Sequence, residues 1–205
     1  MRWLAVVAAL CALSACTAEP KWADDSAVTQ ARYIHDGPTS LTLITAINNR
    51  SGSGGHSALL VNGSERVLWD PAGTWWHPTV PERNDVLFGM NPTVYDFYLD
   101  YHARETFHVV LQEVEVSPEV ADQALALVKA NGAAGNATCA ITTSRILQAL
   151  GLPQMSPSYF PVQVMEDFAK LPGVSERKIF DDSPDSNSDV LRYRAQQAAK
   201  AAAAG

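Results

Sequence analysis

The chain has 205 residues, 47% hydrophobic and 18% charged, the balance of one globular domain with a sizeable core. Fifteen Lys and Arg stand against 22 Asp and Glu, for a net charge of -7. With no basic run to meet a phosphate backbone, nucleic acid is set aside as a partner.

The chain opens as an export signal: Arg2, then an apolar segment from Trp3 to Ala15 that is too short to span a bilayer. Leu13-Ser14-Ala15-Cys16 resembles a bacterial lipobox, in which the cysteine is acylated and becomes the new N-terminus. A plain secretory signal cut near Ala15 or Ala18 is the alternative, and both readings export the protein. On the lipobox reading, lipid on Cys16 anchors the chain to a membrane of the bacterial cell envelope. Residues 1–15 are then signal, 16–38 tether and linker, 39–180 a single folded domain, and 181–205 a polar, then alanine-rich, solvated tail. Cys11 leaves with the signal and Cys16 carries lipid, so Cys139 has no internal partner. In an oxidising compartment such a thiol is retained for its reactivity or as a small buried hydrophobe.

Asp24 to Tyr33 is expected to form a short helix, broken by Asp36-Gly37-Pro38. Ser40 to Asn48 is β-branched and alternating, as a strand is, and a Gly/Ser-rich loop follows from Asn49 to Gly55. Ser57–Val61 and Val67–Trp69 are two apolar runs flanking Asn62-Gly63, a strong hairpin signal. Pro71 to Pro92 has no period but holds Trp75, Trp76 and Phe88. It reads either as a loop covering a site or as tryptophans plugging the sheet edge. Thr93–Ala103 is expected as a short helix, and Glu105–Val116 as a strand whose second half alternates. Ser117-Pro118-Glu119 supplies an N-cap and an N1 proline for a helix stopped by Asn131-Gly132. A further helix runs from Cys139 to Leu150, then a helix over 162–170 and a strand over 176–180.

Nucleophilic thiol chemistry needs a thiolate, a base to shuttle its proton, a polar group to orient the base, and donors for an oxyanion. Cys139, His56, Asp70 and the Cys139 N–H fill those four roles in order. A cysteine in the first turn of a helix meets orphan N–H groups and the positive end of the helix dipole, which favour the thiolate. The hairpin register decides whether Asp70 serves. A two-residue Asn62-Gly63 turn sets His56 across from Trp69 and turns Asp70 to the other face, whereas a three-residue loop, Asn62 to Ser64, sets His56 across from Asp70. The longer loop, or a bulge near Asp70, is expected; His77 is the substitute orienter. His35 and His102 read as solvated and His108 as a surface histidine. A zinc site from His56, His102 and His108 is disfavoured, since neither H-E-x-x-H nor paired-cysteine spacing is present. No cofactor is implied.

Three stretches, Gly55-His56-Ser57-Ala58-Leu59-Leu60-Val61, then Asp70, then Thr138-Cys139-Ala140-Ile141-Thr142-Thr143-Ser144-Arg145-Ile146-Leu147, resemble the circularly permuted branch of the NlpC-type papain-like hydrolases. That branch includes lecithin-retinol acyltransferase and bacterial lipoproteins. The resemblance covers roughly Leu41 to Leu150. It implies a single-domain α+β fold, a permuted papain-like antiparallel sheet packed against helices, with Cys139 as nucleophile, His56 as base and Asp70 as orienter. It implies an exported thiol hydrolase or acyltransferase acting on an amide or ester, with cell-wall peptide favoured and lipid ester second. Members often carry a polar side chain such as asparagine before the cysteine, where this chain has Thr138. A non-catalytic envelope lipoprotein using the same fold as a binding module, with Trp75 and Trp76 as ligand contacts, is the rival from another class.

Overall fold

The computed structural model describes residues 20–186; the export signal, Cys11, Cys16 and the alanine-rich end lie outside the described residues. The described chain is a single α+β domain. Its elements in order are α1 (Asp25–Ala31), β1 (Ser40–Asn48), β2 (Gly54–Asn62), β3 (Arg66–Trp69), β4 (Glu82–Arg83) and β5 (Val86–Phe88). There follow α2 (Pro92–His102), β6 (Phe107–Glu115), α3 (Pro118–Ala130), α4 (Cys139–Ala149), α5 (Pro161–Phe168) and β7 (Ser175–Ile179). The strands form one antiparallel sheet in the order β4-β5-β3-β2-β1-β6-β7. Among the described residues, no helix is long and apolar enough to cross a membrane.

Both faces of the sheet are covered. Leu41, Leu43, Leu59, Val61, Val67 and Trp69 point to the side occupied by α3, α4 and α5. Ile44, Ala58, Leu60, Leu68 and Leu111 point to the other, against α2 and Trp75. This accounts for the nearly unbroken apolar character of β1 and β2, since a strand buried on both faces has no polar side to alternate with. The helices start where their caps dictate. Asn91 and Ser117 accept hydrogen bonds from the N–H groups three residues on, and a proline occupies the first turn of α2 and of α3.

Two turns differ from expectation. The first is the hairpin loop: Asn62 pairs with Arg66, leaving Gly63 to Glu65 rather than Asn62 to Ser64. The loop has the expected length but begins one residue later, with Leu59 across from Trp69, so His56 is not directly across from Asp70 as expected. The tight hairpin lies instead in the stretch expected to be all loop. Arg83 pairs with Val86 across Asn84 and Asp85, whose φ values of 46° and 68° satisfy a turn that needs two left-handed residues. Val86–Phe88 then pairs with β3 and extends the sheet. Three residues are too few to show a period, which is why this strand escaped notice.

The segments flanking the domain are docked on it. Trp22 bridges to Arg83, its ring under the guanidinium, and Ala23 donates to the Glu82 carbonyl. At the other end, the Glu105 N–H donates to the Ser183 carbonyl and the Thr106 N–H to Asp185.

Leu59, fully buried between β2 and the helices, tests the fold. Leu59→Ala is expected to lower the unfolding free energy by about 2–5 kcal/mol, seen as an earlier urea midpoint with an unchanged slope.

Candidate active site

The site forms where β2 and β3 part company. The two strands pair only over Leu59–Asn62, because β3 ends at Trp69 and the Asp70 N–H turns to the Asp85 carbonyl instead. The N-terminal half of β2, carrying His56, is therefore free on that side. The pairing keeps residue sums even, so Asp70 lies on the same face as His56 and reaches it diagonally. His56 Nε2 lies 2.6 Å from Asp70 Oδ1. His77, the substitute, turns instead to Thr79, with its Nδ1 2.8 Å from the hydroxyl.

Close approach demands glycine at three positions here. A side chain at Gly54 would run into Pro161 at 2.5 Å, and one at Gly55 into the Phe107 ring at 2.7 Å. At Gly73 a Cβ would sit 1.9 Å from Asp70 Oδ2, on the carboxylate itself. Between the first two, β2 bulges at Gly55 and swings His56 to the sheet's end.

Cys139 begins α4 and is half-buried. Its thiol lies close enough to the His56 imidazole, and to the backbone N–H groups of Ser57 and Ala140, for each of them to favour the thiolate. With His56 Nε2 committed to Asp70, its Nδ1 is the nitrogen left for the sulfur. Cys139, His56 and Asp70 thus come together, with His56 hydrogen-bonded to Asp70 and coupled electrostatically to the thiol. Thr138 does not contribute an oxyanion donor, because its hydroxyl donates to the Gly135 carbonyl.

The electrostatics follow from this chain. Burial opposes charge on His56, but the Asp70 carboxylate and the thiol overcome it and raise its pKa to about 10. Burial likewise pushes Cys139 up, and the His56 hydrogen bond and charge bring it below its ordinary value. Asp70 is held down by His56 despite its burial. At neutral pH His56 is an imidazolium beside the Asp70 carboxylate, and its charge shifts Cys139 toward the thiolate.

Tyr98 and Asp85, which sequence reasoning passed over, and His102, which it read as solvated, complete the site. Tyr98, fully buried on α2, donates its hydroxyl to Asp70 Oδ1 at 2.7 Å. His102, one turn later, is not solvated as expected: its ring lies parallel to His56 with centroids 5.7 Å apart, and its Nδ1 is 2.9 Å from the Tyr98 carbonyl. A helix end in sequence looks exposed; here it packs over the sheet. Asp85 accepts from Ala72 at 3.2 Å and from Ala134 at 2.8 Å, tying the turn after Asp70 to the loop before Cys139.

A cavity of about 380 Å³ opens beside His56, lined by Gly55, Ala72, Thr74, Tyr101, His102 and Arg104 among others. The start of the long loop after Asp70 thus lines the cavity rather than covering it. Trp75 is buried against Phe97 and Tyr98, so it supports Asp70's partner from beneath and is unable to serve as a ligand contact; Trp76 is exposed. His108 stands apart, with Nδ1 2.7 Å from Asn49 Oδ1 and its ring on Phe180, so the three-histidine set does not assemble.

Compared with family models, with curated proteins and with solved structures, the chain matches none.

Asp70→Asn removes the charge that raises His56, so the His56 pKa should fall by more than one unit in an NMR titration. The native pair sets a pH window. The His56 contribution to stability is fully present below about 6.5 and is lost as pH rises through about 10. The Asp70 contribution is present above 3.8 and is lost as pH falls through its lower native pKa. Asp85→Ala orphans the Ala72 and Ala134 N–H groups and should cost about 1–3 kcal/mol in urea unfolding while slowing Cys139 alkylation.

Proposed function

We propose that this protein is a thiol hydrolase or acyltransferase of the permuted papain-like kind, working through a Cys139 acyl-enzyme. The observation that carries the reading is the grouping of Cys139, His56 and Asp70: a thiol at a helix N-terminus, coupled to a histidine whose Nε2 is held by a buried carboxylate. A cysteine kept only as a small hydrophobe requires none of these partners.

The geometry supports an ordinary two-step acyl transfer. The Cys139 thiolate attacks the carbonyl carbon of an amide or ester, and the π electrons move to oxygen, which meets the Cys139 N–H in the first turn of α4. As the tetrahedral adduct collapses, the imidazolium of His56 gives its proton to the departing amine or alkoxide. His56, now neutral, takes a proton from water or a second acceptor, which attacks the thioester and releases the thiolate. Asp70, fixed by Tyr98, keeps the imidazole in place through both steps.

The lipobox at Leu13 to Cys16 and the apolar segment before it support export and attachment to the cell envelope by lipid on Cys16. That placement favours peptides of the cell wall as substrates, with lipid esters second. The burial of Trp75 takes away one of the two aromatic contacts on which the binding-module reading relied.

Cys139→Ala and His56→Ala should each abolish hydrolysis of peptidoglycan peptides or of an activated ester. Intact-mass spectrometry of the native protein should show an acyl adduct that is absent from Cys139→Ala. Both variants hydrolysing as the native protein does, across both substrate classes, would overturn the reading.

A further inference from the structure

The Cys139–His56–Asp70 chain leaves His102 without a task, yet its placement is costly to arrange. It is half-buried, it lies parallel to His56, and its tautomer is set by the hydrogen bond from Nδ1–H to the Tyr98 carbonyl. That leaves Nε2 as the ring nitrogen with a lone pair to offer. One nitrogen of His56, one oxygen of Asp70 and one nitrogen of His102 all lie within 4.8 Å of one another. Two imidazoles and one carboxylate with an open fourth position form a donor set suited to zinc.

The surroundings of the three groups are those that metal ligands have. A ligating histidine is commonly oriented by donating its other N–H to a backbone carbonyl, and a ligating carboxylate by accepting a hydrogen bond. Tyr98 does both: its carbonyl receives His102 and its hydroxyl donates to Asp70. A single buried residue therefore aims two of the three ligands, an economy that thiol chemistry alone does not call for. The cavity beside His56 and His102 offers an entry path and room for the water that would fill the fourth position.

We propose that His56, Asp70 and His102 form a binding site for a divalent transition-metal ion of the zinc type, and that the ion silences the thiol. For its consequence, though not for the binding itself, this rests on the thiol reading above. The ion takes the place of the proton shared by His56 Nε2 and Asp70, and that proton leaves to solvent. The two atoms, now 2.6 Å apart, open to about 3.3 Å, the edge of a tetrahedron with bonds of 2.0–2.1 Å. Fixed to the metal, His56 is a cation's ligand rather than a mobile proton carrier, and Cys139 loses its base.

The test uses the full chain and zinc ions alone. Zinc titrated into the native protein and into Cys139→Ser should bind at one equivalent with equal affinity, while His102→Gln, its fold checked by circular dichroism, binds at least tenfold more weakly. Tyr98→Phe, which keeps the carbonyl but loses the hydroxyl, should weaken binding by about tenfold. Zinc should slow iodoacetamide labelling of Cys139 at least tenfold in the native protein and far less in His102→Gln. Equal zinc sensitivity of labelling in the two, which would place the ion on the Cys139–His56 pair alone, overturns the proposal. So does labelling that ignores zinc, or a substrate turnover that zinc accelerates. Failure of the thiol reading is separate: Cys139 would then label as slowly as an ordinary thiol before any zinc is added, while binding to Cys139→Ser still reports on the metal site.

Discussion

The His56–Asp70 hydrogen bond is the constraint on which the rest of the site depends. It joins a ring near the surface to a carboxylate that is 3% exposed, and such a carboxylate is costly to bury unless it is fully satisfied. Several unrelated features of the chain make sense as its supports. The even register of β2 and β3 brings both residues to one face. The Tyr98 hydroxyl gives Asp70 a second donor, and Gly73 leaves the space that the carboxylate occupies. Trp75 packs behind Tyr98, so even the aromatic loop contributes to holding one oxygen atom in place.

The bond also explains the charge state of the sulfur. A lone imidazole in a half-buried site would be neutral and would leave Cys139 protonated. Asp70 makes the imidazolium stable, and the imidazolium together with the Ser57 and Ala140 N–H groups makes the thiolate stable. The same polarity that readies the thiol also makes His56 and Asp70 attractive to a cation, and His102 completes that opportunity from the adjacent helix.

Much of this was legible in the chain because the signals were local. Ser117-Pro118 and Asn131-Gly132 mark both ends of α3, and the paired runs on either side of Asn62 mark β2 and β3. The candidate triad followed from asking which histidine, carboxylate and cysteine the elements could bring together. What escaped was set by contacts between distant segments. The expected three-residue loop falls at Gly63–Glu65 rather than Asn62–Ser64 because burial on both faces of β2 and β3 fixes their register more strongly than turn preference does. Val86–Phe88 is a strand only because β3 lies beside it. His102 and Asp85 look like ordinary surface residues until α2 folds over the sheet and the Asn84-Asp85 turn meets the loop before Cys139.

The central claim is that Cys139 is a thiolate because His56 and Asp70 make it one. Titration of the ultraviolet thiolate absorbance, with Cys139→Ser as the blank, measures this directly. The account predicts a midpoint well below the free-thiol value of about 8.5, moving back toward that value in Asp70→Asn. A midpoint at or above 8.5 in the native protein, unmoved by Asp70→Asn, would contradict it.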